Sequence, residues 1–226
     1  MNYQILQVKE RVLADNDKAA AQTRQCLQEH HVLLINLMGS PGAGKTSTLL
    51  QLIARLQPEY RVGVMEADVD SDVDARRIAE TGARVIQLHT GGLCHMDADM
   101  TARGLAALGM EHLDLIFLEN VGNLVCPAEF DVGADLRMMI LSVPEGDDKP
   151  LKYPLMFTVS DLMLINKIDA AAVFDFDPEA ASRRALALNS KLQIFPVSAL
   201  SGEGFDAVAQ SIRNAISERR NQSCGF

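Results

Sequence analysis

Eight residues, Gly39-Ser-Pro-Gly-Ala-Gly-Lys-Thr46, have the spacing G-x-x-x-x-G-K-[ST] of a loop that wraps a polyphosphate. Glycines at Gly39, Gly42 and Gly44 free the backbone to turn its N–H groups inward, and the helix that should follow adds the positive end of its dipole. Phosphate contacts are therefore expected from Gly39, Ser40, Pro41, Gly42, Ala43, Gly44, Lys45, Thr46 and Ser47. Lys45 supplies a point charge for the terminal phosphates, and the Thr46 hydroxyl is placed to ligate Mg²⁺.

A second set of residues speaks to the base. Asp161-Leu-Met-Leu-Ile-Asn-Lys-Ile-Asp169 is an apolar strand closing on Asn166-Lys167-Ile168-Asp169, the N-K-x-D element of GTP-binding proteins. A carboxylate at Asp169 accepts from the ring N–H and exocyclic amine of guanine, while Lys167 covers the ring. Adenine offers an acceptor there and no amine, so it would leave the carboxylate unpaired. Ser198-Ala199, in Phe195-Pro-Val-Ser-Ala199, resembles the second guanine-contacting loop. GTP is the expected nucleotide.

Two acidic places can complete a magnesium site, which needs oxygen ligands. Glu66-Ala-Asp68-Val-Asp70-Ser-Asp72-Val-Asp74 follows one strand, and Glu119-Asn-Val-Gly122 follows another. Glu66, Asp68 and Glu119 are the candidate Mg²⁺ carboxylates. Gly122, in the E-x-x-G form of a switch motif, is a candidate sensor of the γ-phosphate. An EF-hand is excluded, because counting from Asp68 puts Val73 where Gly is required and Ala79 where Glu is required. Asp72 or Asp74 reads as a helix cap with a solvated acidic first turn. Lys45, Thr46, Asp68 and Glu119 are the expected participants in hydrolysis; no general base is evident, and slow intrinsic turnover is normal for such a switch.

A softer chemistry is offered by Cys94-His95 and Cys126-Pro127, both in segments that follow strands. Two thiolates and an imidazole suit Zn²⁺ or Ni²⁺ and leave a four-coordinate ion one ligand short. The residues alone leave other readings open: unrelated loop cysteines, or a Cys–His catalytic pair. The C-x-x-C spacing of structural zinc sites is absent, and adjacent side chains rarely wrap one ion, which favours a shared interface site.

These groups need a scaffold. Strands are predicted at residues 32–38, 61–67, 84–88, 113–119, 137–143, 161–166 and 193–197, and helices at 45–56, 72–81, 97–108, 178–189 and 205–219. Such alternation predicts an α/β fold with a mostly parallel, doubly wound sheet, whose ligands sit beyond the carboxyl ends of the strands. Residues 1–31 read as an N-terminal helical extension, with Asp15-Asn16-Asp17 a possible break, and 32–226 as the P-loop domain. Glu145 to Pro154 reads as a polar, mobile loop; its Lys149 and Lys152 are placed to approach phosphates or a second subunit, or to stay solvated.

The 226 residues, 48% hydrophobic, are enough for a core, and a net charge of −9 argues against general nucleic-acid or anionic-membrane binding. Trp is absent and other aromatics are sparse, so base-stacking platforms are not expected. No leader pattern or membrane-length apolar run is visible, so a cytoplasmic location with reduced Cys26, Cys94, Cys126 and Cys224 is expected.

From Val32 to about Ala215 the chain resembles the hydrogenase nickel-incorporation GTPases, the HypB-like proteins. The resemblance rests on Gly39–Thr46, Cys94-His-Met-Asp-Ala, Glu119-Asn-Val-Gly-Asn-Leu-Val-Cys-Pro127, Glu145-Gly-Asp-Asp-Lys-Pro-Leu-Lys-Tyr-Pro154 and Asn166–Asp169. It implies a GTPase that dimerises in its GTP state. It also implies help in loading nickel into the large subunit of [NiFe]-hydrogenase, together with a small zinc-bearing nickel chaperone. Cys94, His95 and Cys126 would bind Zn²⁺ or Ni²⁺ near the dimer interface. The start, Met1-Asn-Tyr-Gln-Ile5, has neither the cysteine cluster nor the His-rich tract of some members, so their separate nickel site is not expected. Related accessory GTPases for urease or cobalamin enzymes, a P-loop small-molecule kinase, and a zinc-bridged dimer scaffold are the alternatives. Asn166–Asp169 argues against the kinase.

Overall fold

The computed structural model describes residues 8–68 and 72–222. Ile5, Asp70 and Cys224, which entered the sequence reading, lie outside them. Seven parallel strands form one sheet: β1 (Leu33–Gly39), β2 (Val62–Asp68), β3 (Arg84–His89), β4 (Leu115–Glu119), β5 (Leu136–Ser142), β6 (Leu162–Asn166) and β7 (Gln193–Pro196), in the order β3-β2-β4-β1-β5-β6-β7. The helices are α1 (Val8–Glu29), α2 (Lys45–Leu56), α3 (Val73–Ala79), α4 (Ala98–Leu108), α5 (Cys126–Glu129), α6 (Lys149–Lys152), α7 (Pro154–Val159), α8 (Pro178–Leu188) and α9 (Phe205–Gln222). The expected doubly wound architecture is present.

The burial pattern explains why the central strands read as unbroken apolar runs. Every residue of β1, β4 and β6 is buried, because helices cover both faces of the sheet. The edge strands β3 and β7 carry exposed and half-buried positions instead. Leu33, Ile35 and Leu37 of β1 join a core with Leu49, Leu52, Ile53 and Leu56 of α2 and Phe205, Val208 and Ile212 of α9. The α2 residues recur at helical spacing, which fixes the face that α2 lays on the sheet. By strand alternation, Leu34, Asn36 and Met38 point to the other face, where Leu34 packs with residues of α1 and α4.

Two expectations need correction. α1 runs through Asp15-Asn16-Asp17 without a break. Asn16 is spent on tertiary bonds, donating to the Asp131 carbonyl at 2.9 Å and accepting from the Ala98 backbone at 3.0 Å, and these hold α1 against the body. The segment Glu145 to Pro154 is not a loose loop. It contains the end of a 3₁₀ turn (Val143–Glu145), then α6 and the start of α7. Arg184 of α8 holds Asp147 through both its carbonyl and its carboxylate, and Glu145 caps the turn by accepting from Ser142 N and Oγ. Its prolines sit at helix first turns, where they are tolerated.

At the amino ends of the strands, Asp114 gathers β2, β4 and α9. It accepts from Arg61 N, Nε and an Nη, and from Arg220. Arg61 holds the Asp114 carboxyl down, from 3.8 to about 2, against the opposing effect of burial. A depressed carboxylate pKa contributes stability that is fully present above the unfolded value and lost as pH falls through the folded one. Asp114→Asn should therefore cost about 2 kcal/mol near neutral pH. Denaturant titrations should show that deficit shrinking between about pH 4 and pH 2.

Candidate nucleotide and metal site

β1 ends at Gly39, and α2 begins at Lys45 after a turn through Ser40–Gly44. Gly44 is the N-cap residue and has φ 98°. A Cβ there would lie 2.4 Å from Asn166 Nδ2, so both the backbone angle and the close approach of the neighbouring loop require glycine. Lys45 Nζ rests on the Ser40 carbonyl at 3.4 Å, folded over the loop that should hold phosphate.

The loop opens onto a cavity of about 630 Å³ lined by Pro41, Gly42, Gly44, Lys45, Thr46, Ser47, Glu66, Ala67, Asp68, Asp74, Arg77, Glu119, Asn120, Val121, Gly122 and Lys167. A second cavity of about 430 Å³ adjoins it, lined by Gln51, Asn166, Asp169 and Ala199 among others. Gly44, Ser47, Arg77 and Lys167 line both, so the two form one groove, with the expected phosphate loop at one end and the expected base-reading residues at the other. Gly122 stands where a Cβ would come within 2.9 Å of the Pro41 ring, which sets the E-x-x-G segment directly against the phosphate loop.

The base end is built by backbone latches. Asn166 donates to the Ala43 carbonyl at 2.9 Å and accepts from Lys167 N and Ala199 N, so one amide ties three loops together. Its side chain braces the loops around the cavity that it also lines. Lys167 donates from Nζ to the Gly42 carbonyl at 2.7 Å. Ser198 donates its hydroxyl to Asp169, leaving the other carboxylate oxygen for a ligand. Gln51 secures the Ala199 carbonyl at 3.0 Å.

At the phosphate end, Thr46 donates to Glu119 Oε1 at 3.0 Å. Glu66 Oε2 and Glu119 Oε2 are buried without a hydrogen-bond partner. Burial, reinforced by its neighbour Glu119, raises the Glu66 carboxyl to about 8. Burial likewise raises Glu119 to about 7, opposed by Lys45 and Thr46. Two orphaned carboxylate oxygens, with Asp68 and the Thr46 hydroxyl beside them, form a hard-oxygen donor set of the kind Mg²⁺ takes. Asp74, read from sequence as solvated, lines this cavity with Arg77, its partner at 3.5 Å. Asp72 makes no capping bond and pairs with Arg76.

Beyond Gly122 the chain reaches Cys126. The ligand atoms of Cys94, His95 and Cys126 all lie within 4.8 Å of one another. The two sulfurs are 3.0 Å apart, and Cys94 Sγ is 3.8 Å from His95 Nδ1. The adjacent Cys94 and His95 are thus joined by Cys126 within a single chain. His95 stacks on Phe130 with centroids 3.9 Å apart, and its burial lowers its pKa, which keeps the ring neutral and able to ligate. The Cys126 thiol is pushed up, first by its hydrogen bond with Cys94 and then by burial, which favours its protonated form. Cys94 is exposed, and the flanking Leu93 and Val125 are exposed apolar side chains, so the site has an open, apolar rim.

Both segments that carry the Cys/His trio are fastened to the strand ends around the phosphate loop. Thr90 N donates to the Asp68 carbonyl at 3.3 Å, Asn120 N to Leu37 O at 2.9 Å, and Asn123 N to Gly39 O at 3.1 Å. Of the groups that sequence reading missed, Asn36 carried a signal, as a polar residue inside an apolar strand. Arg77, Asn120 and Phe130 carried none.

Among the described residues, no helix is long and apolar enough to cross a membrane. The family described as "CobW/HypB/UreG, nucleotide-binding domain" matches residues 33–196. A hydrogenase maturation factor HypB from Rhizobium leguminosarum bv. viciae is 45% identical over 203 residues, covering 90% of this chain and 68% of that protein. The crystal structure of HypB from Archaeoglobus fulgidus superposes with a TM-score of 0.85 at 35% identity, covering 90% of this chain and all of that one. HypB from Helicobacter pylori, solved in complex with nickel, superposes with a TM-score of 0.85 at 34% identity, covering 90% and 96%. A P-loop groove, a Cys/His trio and these likenesses lead to one conclusion: the chain belongs to the HypB family of hydrogenase maturation factors.

Proposed function

We propose that this protein is a GTP-hydrolysing metallochaperone that assists nickel insertion into [NiFe]-hydrogenase, with the Cys94–His95–Cys126 site governed by the nucleotide. The observation that carries this reading is the connection between the two sites. Glu119, which holds the Thr46 hydroxyl, and Cys126, which approaches Cys94, lie seven positions apart on one segment. That segment is pinned to β1 at Leu37 and Gly39.

The residues divide the work as follows. Asp169 and Lys167 recognise and cover guanine, Ser198 orients the Asp169 carboxylate, and the N–H groups of Gly39–Ser47 surround the phosphates. Lys45 leaves its resting place on the Ser40 carbonyl to meet the terminal phosphates, and Gly122 reports the γ-phosphate to the 119–126 segment. Thr46, Glu66, Asp68 and Glu119 would hold Mg²⁺, which when bound neutralises charge on the β- and γ-phosphate oxygens. Electrostatic stabilisation of this kind accounts for most of the rate in phosphoryl transfer, so turnover needs no strong base.

The cargo ion, Ni²⁺ or Zn²⁺, receives two sulfurs and one nitrogen from the chain, and its fourth ligand comes from water or a partner. The open rim at Leu93 and Val125 suits a second copy of the chain in the GTP state, or the zinc-bearing nickel chaperone and hydrogenase large subunit that exchange the ion. GTP turnover by the purified protein tests the enzymatic half. Lys45→Ala should lower it on the order of 10²-fold or more, and turnover unaffected by that change would sink the assignment.

A further inference from the structure

The Cys126 side of the metal site is joined to the nucleotide site by continuous backbone. The Cys94–His95 side belongs to a different segment, after β3, and needs its own connection. Asn120 supplies one. It immediately follows Glu119, is fully buried, and has its carboxamide engaged at both ends. Its Oδ1 accepts from Met96 N at 3.1 Å and from Val121 N at 2.9 Å. Its Nδ2 donates to Asn36 Oδ1 at 3.1 Å. Met96 immediately follows His95, and Asn36 lies three residues before Gly39, where the phosphate loop begins. One side chain therefore joins the residue after a magnesium carboxylate, the residue after a metal-binding imidazole, and the strand that feeds the phosphate loop.

We propose that Asn120 is a positioning residue that transmits nucleotide state to the Cys94–His95 segment, so that both halves of the metal site move together. The inference rests on the reading of the trio as a nucleotide-governed metal site. The physical case is that every alternative position of Asn120 is costly. A shift of Glu119 and Asn120 that left Met96 behind would strand the buried Met96 N–H, while Asn120 Oδ1 kept only its bond from Val121 N. A displacement at Glu119 is therefore carried to Met96, and thence to His95, one bond along the chain. A packing residue at the same place would fill volume without imposing such direction. Asn36 has no other evident reason to interrupt a strand of otherwise apolar residues on a face shared with Leu34 and Met38.

The test compares Ni²⁺ affinity of the full chain in GDP and in a non-hydrolysable GTP analogue, for wild type, Asn120→Ala and Asn36→Ala. The wild-type affinities should differ between nucleotides by a factor in the range of about 5–150 usual for coupled sites. In Asn120→Ala that factor should fall to within about twofold of one, read at saturating nucleotide because Asn120 also lines the cavity beside the phosphate loop. The thiolate-to-nickel charge-transfer band should likewise cease to respond to nucleotide. Asn36→Ala, which keeps the bond to Met96 and loosens its anchor, should give an intermediate factor, and it decides the matter if Asn120→Ala does not fold. A wild-type factor retained in the folded variants would overturn the role of Asn120 alone. A wild-type factor of one would instead remove the nucleotide-governed reading, and this inference with it.

Discussion

Asp169→Asn should lower GTP affinity by about two orders of magnitude, equivalent to roughly 3 kcal/mol. The carboxylate lines the base end of the groove, and one of its oxygens is already occupied by the Ser198 hydroxyl. That bond fixes the plane in which the other oxygen can accept from a ligand. Guanine presents two adjacent donors to a carboxylate, and an amide meets one of them with a donor of its own. Xanthine carries an oxygen where guanine carries the amine, so the same substitution should improve binding of the xanthine nucleotide. Titration of both nucleotides against both proteins checks this. Equal losses for the two would mean that Asp169 supports the loop and does not read the base.

The second large effect is expected at Cys126. Removing one of three protein donors should weaken Ni²⁺ or Zn²⁺ binding by at least about 10²-fold, given that structural zinc sites gather about 10–16 kcal/mol from four. Cys126→Ala should leave GTP affinity within about twofold, because Cys126 does not line the groove. The number of protons released on metal binding should also fall, since the Cys126 thiol is held protonated by Cys94 and by burial in the free protein. Competition titration with a chromophoric chelator measures the first quantity, and calorimetry in buffers of different ionisation enthalpy measures the second. Wild-type metal affinity in this variant would remove Cys126 from the site.

Much of this site could be read from the chain because its residues come in runs. Gly39–Thr46 and Asn166–Asp169 are contiguous, each follows a buried apolar strand, and a parallel sheet delivers all such strand ends to one edge. Cys94, His95 and Cys126 were harder. Their chemistry was visible and the resemblance grouped them, but spacing alone could not, since their approach depends on the segments after β3 and β4 meeting across the end of the sheet. Arg77 and Asp74 look in sequence like an ordinary pair three apart on an exposed helix, and only the placement of α3 over the groove gives them a share in it. Asn16 illustrates the opposite error. Its local preference is for turns, yet two long-range hydrogen bonds keep it inside a continuous α1. Glu145 to Pro154 misled for a related reason: its prolines and charges suggest a loop, while the prolines stand at helix starts and Asp147 is held by Arg184.

The central claim is that the nucleotide governs the metal, and one measurement addresses it without any mutation. Nickel content and oligomeric state should be determined on the same samples, equilibrated with excess GDP or with a non-hydrolysable GTP analogue at fixed free Ni²⁺. A change in both nickel occupancy and subunit assembly between the two nucleotides is the predicted result. Identical occupancy in the two states would contradict it, and would leave the phosphate loop and the Cys/His trio as two sites that merely share a fold.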